Sequence, residues 1–236
     1  MKKFFLQPFT DTFYGLEGCL DRGTRSLLLI LLGLLLGWWI YVPIHELLHA
    51  GACVAGGGSI SQLEIDPLYF GGLLAQIFPW VTASSEYAGR LSGFDTGGSD
   101  LVYLLTDFGP FFLTLFPGVW WLRRAARGGQ ALAFGAALPF ALAPLISLTG
   151  DAYEIGSILV TRLPMWAETG TRALLRGDDL FKKAEELSQL GGPAPWLGLV
   201  LAAGLGALWA LATYGLGAWI AGRLKQPQLV DTSKNI

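Results

Sequence analysis

The stretch from Leu27 to Tyr41 carries no charged side chain, and its apolar character continues to Cys53. A helix needs about 20 mostly apolar residues to cross the ~30 Å hydrocarbon core of a bilayer, so Ser26–Cys53 predicts a transmembrane helix. The composition agrees, because 53% of the residues are hydrophobic and only 14% are charged. A mean hydropathy of +0.49 is not typical of a soluble domain. The net charge of −2 gives no reason to expect a nucleic-acid partner.

Three further ranges are apolar enough to span a bilayer, namely Leu101–Leu122, Ala131–Thr149 and Trp196–Ile220. We therefore predict an all-α polytopic membrane protein with about four transmembrane helices, embedded in a lipid bilayer. Basic residues cluster before the first span and after the second and fourth, and they are Arg22, Arg25, Arg123, Arg124, Arg127, Arg223 and Lys225. Because Lys and Arg concentrate in cytoplasmic loops, we expect a cytoplasmic N-terminus and a multi-pass location in a bacterial inner (plasma) membrane.

The segment between the first two spans predicts a small β element. Three glycines, Gly56–Gly58, precede Ile60–Ile65, where apolar and polar residues alternate as they do in a strand. Asp66-Pro67 is a turn signal, so Leu68–Phe70 is the predicted return strand. Together these residues predict a short re-entrant β-hairpin, which at membrane depth must be covered by protein or line a cavity. The polar, glycine-rich range 84–100 is expected to be an exposed extracytoplasmic loop.

The only two histidines of the chain lie in the first predicted span, in a His-Glu-x-x-His motif formed by His45, Glu46 and His49. Residues four apart on an α-helix lie on nearly the same face, about 6 Å apart along its axis. Two such imidazoles can bind one zinc ion, and Glu46 is then placed beside the metal to accept a proton from water. Pro43 is expected to kink or locally open the helix. Cys53 lies too far from His45 to share the ion, so we predict a packing role for it.

A third ligand must come from another span. His45 and Asp151 each lie roughly 30 Å along their spans from the cytoplasmic end, at 1.5 Å per residue. Asp151 is the first choice because it follows the helix-breaking Gly150 at this depth. Glu154, one turn later, could replace Asp151 or hold it in place. Asp107, in the outer half of the second span, is the least favoured ligand. Ionisable groups within membrane spans usually face a partner or a wet cavity, so their convergence favours a site.

Four features together resemble the site-2 protease family of intramembrane zinc metalloproteases. They are the His-Glu-x-x-His motif in a transmembrane helix, the glycine-rich strand-like segment after it, Gly109-Pro110 early in a later span and an aspartate after a distant one. The resemblance covers roughly Leu27 to Leu159. In this family two histidines and a distant aspartate bind zinc, a glutamate is the general base, and the strand segment holds an unwound substrate.

The resemblance implies a zinc metalloendopeptidase that hydrolyses transmembrane protein or peptide substrates. It implies that His45, His49 and Asp151 are the zinc ligands and that Glu46 is the catalytic base. Substrate contacts are then expected on the strand, at Ile60, Gln62 and Glu64. Such a strand could pair with the backbone of an unwound substrate helix.

The chain also differs from the family pattern. The family typically has Asn-x-x-Pro before an Asp-Gly pair, whereas this chain has Ala141-Leu-Ala-Pro144 and Ala152 after Asp151. Its one asparagine is Asn235, in the C-terminal tail. Two other functions fit the same residues. One is a non-catalytic metal-binding membrane protein, or pseudoprotease, and the other is a structural or ion- or proton-translocating membrane subunit.

We expect a single membrane domain over residues 1–236. It comprises an interfacial N-terminus (1–25), a metalloprotease-like core (26–162), an amphipathic surface segment (163–194) and the last transmembrane helix (195–225). The surface segment places four apolar residues at helical spacing, and these are Leu180, Phe181, Ala184 and Leu187.

Overall fold

The structure, a computed structural model, describes residues 2–166, 168–190 and 193–224. Its helices are α1 (Lys2–Leu20), α2 (Arg25–Ala55), α3 (Gly71–Ile77), α4 (Asp100–Phe108), α5 (Val119–Gly128), α6 (Ala131–Ile146), α7 (Asp151–Val160), α8 (Thr169–Leu175), α9 (Leu180–Leu190) and α10 (Pro193–Arg223). Short helical turns at Gly109–Phe111 and Thr114–Gly118 join α4 to α5.

Four helical stretches are long and apolar enough to cross a membrane, and they are Arg25–Ala55, Asp100–Gly128, Ala131–Val160 and Pro193–Arg223. This confirms the predicted all-α polytopic fold with a small β element. Helix α2 runs unbroken through Pro43, so the opening predicted there is not seen. Residue 225, the predicted end of the last span, lies outside the described residues.

Glycines allow the crossings to pack backbone to backbone. A Cβ atom at Gly33 of α2 would lie 2.1 Å from the carbonyl oxygen of Leu132 on α6, and one at Gly156 of α7 would lie 2.0 Å from that of Ala202 on α10. Such approaches exclude any side chain and are typical of helix contacts in membranes. Gly109 allows a similarly close contact beside the His-Glu-x-x-His motif, because an added Cβ atom would lie 2.4 Å from the carbonyl oxygen of Leu48 on α2. The second and third crossings are thus held close to α2.

The β element is a three-stranded sheet in the order β2-β1-β3. Strand β1 (Ser59–Ile65) pairs in parallel with β2 (Val81–Thr82) and antiparallel with β3 (Gly89–Asp95). The predicted first strand is confirmed, but Leu68–Phe70 as its return strand is wrong. The Asp66 side chain accepts a hydrogen bond from the Leu68 N–H, so the chain turns into a short 3₁₀ helix over Pro67–Tyr69 instead. The true antiparallel partner, β3, lies within the range 84–100 that was expected to be a loop.

The third crossing is a broken helix. Helix α6 ends at Ile146, four turn residues follow, and α7 then begins at Asp151 and continues to Val160, beyond the predicted end of the span at Thr149. The carbonyl oxygen of Ser147 accepts the N–H groups of both Gly150 and Ala152 and thereby fixes the break. Asp151 is therefore the first residue of a helix that starts inside the membrane-spanning stretch.

The two segments expected outside the core are both helical. On α1, Asp11 accepts hydrogen bonds from Arg123 of α5 and Tyr214 of α10, which attaches the N-terminal helix to the bundle. The described part of the range 163–194 contains a short 3₁₀ helix over Pro164–Trp166, the helices α8 and α9, and the start of α10. On α9, Leu187 is buried whereas Phe181 is 71% exposed, so only part of the predicted apolar face points inward. The N–H of Leu180 donates to the carbonyl oxygen of Thr149, which places the start of α9 over the break in the third crossing.

Candidate metal centre

The two histidines of α2 bring their Nε2 atoms close together. The Nε2 atoms of His45 and His49 lie 3.1 Å apart, and the ring planes are inclined at 81°. The spacing of four residues puts both rings on one face of the helix, as expected from the motif. The continuity of α2 through Pro43 keeps this spacing regular.

Asp151 supplies a carboxylate to the histidine pair from the third crossing. Its Oδ2 lies 3.3 Å from Nε2 of His45, and its Oδ1 lies 3.6 Å from Nε2 of His49. The three residues each offer a ligand atom within 4.8 Å of the others, so this group could hold a metal ion. We refer to His45, His49 and Asp151 as the metal centre. Among the three acids considered from sequence, Asp151 is the one that the fold brings to the histidines.

The distances between the donor atoms fit a small tetrahedral ion. Ligand bonds of about 2.0–2.1 Å at tetrahedral angles place two donor atoms about 3.3 Å apart. The observed separations of 3.1, 3.3 and 3.6 Å fall on either side of that value. Two imidazoles with one carboxylate are also a ligand set that zinc commonly takes at catalytic sites.

Neighbouring groups orient the three donors. Nδ1 of His49 lies 2.8 Å from the carbonyl oxygen of Thr106. Because a carbonyl oxygen only accepts, Nδ1 is the protonated nitrogen, and Nε2 of the neutral ring keeps its lone pair for a metal. Nδ1 of His45 contacts the Tyr41 hydroxyl at 2.6 Å, and the Ser147 hydroxyl donates to Asp151 at 3.0 Å. Such outer contacts hold ligand orientation and raise metal affinity.

Replacement of Tyr41 by phenylalanine is expected to weaken metal binding by about 10–100-fold, because the hydroxyl holds the His45 ring in its ligating orientation. The measurement is a titration of the purified protein with zinc in competition with a chelator of known affinity. Tyr14→Phe removes an equivalent hydroxyl from an exposed position on α1 and should leave the affinity unchanged. Equal affinities for the two variants would show that Tyr41 does not orient the ligand.

Glu46 is buried and lies against strand β3. A Cβ atom at Gly89 would come within 2.5 Å of Glu46 Cγ and 3.2 Å of its Oε1, so the lack of a side chain at Gly89 makes room for this carboxylate. No hydrogen bond holds the Glu46 carboxylate to another side chain in the described part of the chain. Its carboxylate therefore borders both cavities beside the metal centre without a side-chain partner among these residues.

Two cavities meet at the metal centre. The first, which we call the acidic cavity, has a volume of about 370 Å³ and contains the side chains of Glu46, Asp107, Asp151, Glu154 and Asp178 in its lining. The second has a volume of about 420 Å³ and a more apolar lining that includes Trp38, Ile146 and Phe181. His45, Glu46 and Asp151 border both cavities. The centre can thus be approached from two sides.

Strand β3 forms one wall of the acidic cavity, through Gly89, Arg90, Leu91, Ser92 and Phe94. The predicted substrate contacts Ile60, Gln62 and Glu64 line neither cavity. They belong to β1, which is the central strand of the sheet and is paired with β2 and β3. The expectation of substrate contacts on β1 therefore stays a prediction, and β3 is the edge strand that lines the acidic cavity.

The other two candidate ligands lie in the acidic cavity but outside the metal centre. Glu154 accepts a hydrogen bond from the Tyr103 hydroxyl across the α4–α7 contact. Asp107 is 3% exposed, and its Oδ2 atom has no hydrogen-bond partner among the described residues.

Cys53 is buried four residues beyond His49 and packs against Gly58. Its predicted packing role agrees with this placement.

Several residues of the site were not anticipated from the sequence. Tyr41 precedes His45 by four residues on α2, so the helical spacing could have pointed to it. Asp178 lies just before α9 and lines both cavities, although the sequence predicts only a surface segment there. Thr106 contributes a main-chain carbonyl, and such a contact leaves no signal in the side-chain pattern.

Comparison of the chain with protein-family models, with curated proteins and with solved structures found no match. The residues themselves establish a membrane protein with four potential crossings and a small sheet. Two of the crossings bring His45, His49 and Asp151 together as a group that could hold a metal ion.

Proposed function

We propose that the chain is an intramembrane zinc metalloendopeptidase related to the site-2 protease family. The observation that carries the proposal is the meeting of the His-Glu-x-x-His pair with a carboxylate from a different crossing, 3.3 and 3.6 Å away. Glu46 borders the same two cavities as His45 and Asp151. A structural zinc site is normally closed by four protein ligands, whereas a centre with three ligands beside a cavity favours catalysis.

A zinc ion bound at this centre would supply Lewis-acid polarisation of a scissile carbonyl and of water. Glu46 then has the role of general base, because it follows His45 on α2, borders both cavities and is held by no other side chain among the described residues. It accepts a proton from the attacking water as the bond between the water oxygen and the carbonyl carbon forms. The same proton passes to the leaving amine nitrogen when the carbon–nitrogen bond breaks.

Strand β3 is the element that we assign to substrate binding. In the described part of the chain no strand pairs with the outer edge of β3, so an unwound substrate segment could add there by main-chain hydrogen bonds, the mode by which sheet edges bind extended peptides. This edge borders the acidic cavity at Ser92 and Phe94 and reaches Glu46 at Gly89. A bound segment would therefore run past the metal centre.

The proposal is tested with the purified chain in proteoliposomes that contain a mixture of synthetic transmembrane peptides. New peptide termini, detected by mass spectrometry, should appear with the zinc-loaded protein. They should disappear after chelation and return when zinc is added back. If zinc binds stoichiometrically and no peptide is cut, the chain is a non-catalytic metal-binding protein.

A proton or ion path is the rival suggested by the five carboxyl groups in the acidic cavity. It predicts a pH-dependent ion flux across the liposome membrane that does not require zinc. Flux without peptide cleavage would replace the peptidase proposal.

Replacement of Gly89 by alanine is expected to lower the cleavage rate at least about tenfold while zinc stays bound. The added Cβ would lie 2.5 Å from Glu46 Cγ, so the carboxylate must move away from its position beside the metal centre. A misplaced catalytic group can lose as much as about 100-fold in rate. Gly51→Ala, on α2 with no atom within 4 Å of the added carbon, is the matched control. Full activity of Gly89→Ala would remove Glu46 from the mechanism as described.

A further inference from the structure

The acidic cavity has an excess of negative groups. Five carboxyl groups and one guanidinium, that of Arg90, belong to its lining. Arg90 does not neutralise the interior, because its guanidinium is half exposed and faces Asp178 at 3.9 Å. Acidic groups therefore outnumber basic groups in the lining, which suits a cationic ligand.

The Asp107 carboxylate has no hydrogen-bond partner at Oδ2 among the residues that the structure describes. Its side chain is almost fully buried, and Oδ2 forms no hydrogen bond with any residue that the structure describes. A buried carboxylate without a partner is costly, and such groups usually have a ligand or a functional role. Asp107 also lines the acidic cavity, so a ligand in the cavity is the group that could supply the missing partner.

A second carboxylate and two aromatic rings complete the surroundings of Asp107. Tyr103 precedes Asp107 by four residues on α4, so both side chains lie on the same helix face. Its hydroxyl donates to Oε1 of Glu154 and fixes that carboxylate on α7. The Phe94 ring of β3 packs against the Tyr103 ring with centroids 5.6 Å apart. The acids could hold a cationic head, and the rings could cover its aliphatic stem.

We propose that Asp107 and Glu154 form an acidic subsite that binds one Lys or Arg side chain of a substrate segment lying along β3. The inference rests on the proposed peptidase function and adds a substrate class, peptides with a basic residue close to the cleaved bond. A second metal ion is not the occupant we assign. Among the described residues, the group able to hold an ion is His45, His49 and Asp151, and the subsite acids are not part of it.

The test uses peptide binding, so that it does not depend on hydrolysis. The protein is the zinc-loaded Glu46→Gln variant in detergent. The probes are acetylated, amidated apolar peptides in which a single Arg is moved along the sequence, each paired with the same peptide carrying citrulline, a neutral residue of the same shape. At one position we expect Arg to bind at least about tenfold more tightly than citrulline, as for a hydrogen-bonded charge. Calorimetry measures both affinities.

The preference for Arg should disappear when Asp107→Asn and Glu154→Gln are added. Glu17→Gln, an equivalent change at an exposed position on α1, should keep the preference. Equal binding of Arg and citrulline at every position would overturn the subsite, as would a preference that survives the double substitution. If the wild-type protein hydrolyses peptides in proteoliposomes but the Glu46→Gln variant does not prefer Arg over citrulline, the subsite proposal is wrong and the peptidase proposal is retained. If the variant prefers Arg but the wild-type protein cuts no peptide, the peptidase proposal is wrong and the acidic binding site is retained.

Discussion

Replacement of Glu46 by glutamine is expected to reduce peptide hydrolysis by about 10²–10⁴-fold, the usual contribution of a positioned general base. Glutamine has nearly the same size and cannot accept the proton, so the packing against Gly89 should persist. Glu46 is not part of the metal centre, and the zinc content should therefore stay at one ion per chain.

The measurement combines single-turnover cleavage of a peptide identified in the proteoliposome assay with elemental analysis of the same sample. Glu17→Gln is the matched control, since it makes the same chemical change on an exposed position of α1. A Glu46→Gln protein that cleaves at the normal rate would contradict the proposed mechanism. Loss of zinc together with activity would instead indicate that Glu46 is a ligand.

Replacement of Asp151 by alanine is expected to weaken zinc binding by more than about 100-fold. This is more than the removal of an outer hydrogen bond usually costs, because a ligand itself is lost. The two histidines would remain 3.1 Å apart on α2, but a pair of imidazoles alone leaves the ion with too few protein donors. Zinc affinity is measured by competition with a chelator, and melting in detergent with and without zinc shows whether the variant folds.

Glu154→Gln is the comparison that separates the two candidate carboxylates. Glu154 lies one turn after Asp151 but is held by Tyr103, and it is not part of the metal centre. The Glu154→Gln protein should retain its zinc. The reverse result, zinc lost from Glu154→Gln and kept by Asp151→Ala, would require a different arrangement of the second and third crossings.

The transmembrane helices and the histidine pair could be predicted from sequence because their signals are local. The uncharged run Leu27–Tyr41, with its apolar continuation to Cys53, is long enough to indicate a helix that crosses the bilayer. The spacing of His45 and His49 places both rings on one helix face in any α-helix. Asp151 can be predicted from its depth, since it lies about as far along its span as His45 does along α2. The observed distances of 3.3 and 3.6 Å agree with that reasoning.

Features of the site that depend on main-chain contacts between segments far apart in sequence could not be predicted in the same way. Strand β3 contains Gly89 and Gly93 and has no clear alternation, so its strand character depends on pairing with β1, which precedes it by about 30 residues. The sequence Asp66-Pro67 is ambiguous, because an Asx turn can lead into either a strand or a 3₁₀ helix. The carbonyl of Thr106 orients His49 only because Gly109 lets the second crossing approach α2.

X-ray absorption of the zinc-loaded wild-type protein at the zinc edge tests the central claim most directly. The account predicts one zinc ion per chain with two imidazole nitrogens and carboxylate oxygen at about 2.0–2.2 Å. The imidazole signal should fall when His49→Ala is measured at the same zinc load. A sulfur neighbour at about 2.3 Å, which would bring in a cysteine, or the absence of stoichiometric zinc would contradict the metal centre formed by His45, His49 and Asp151.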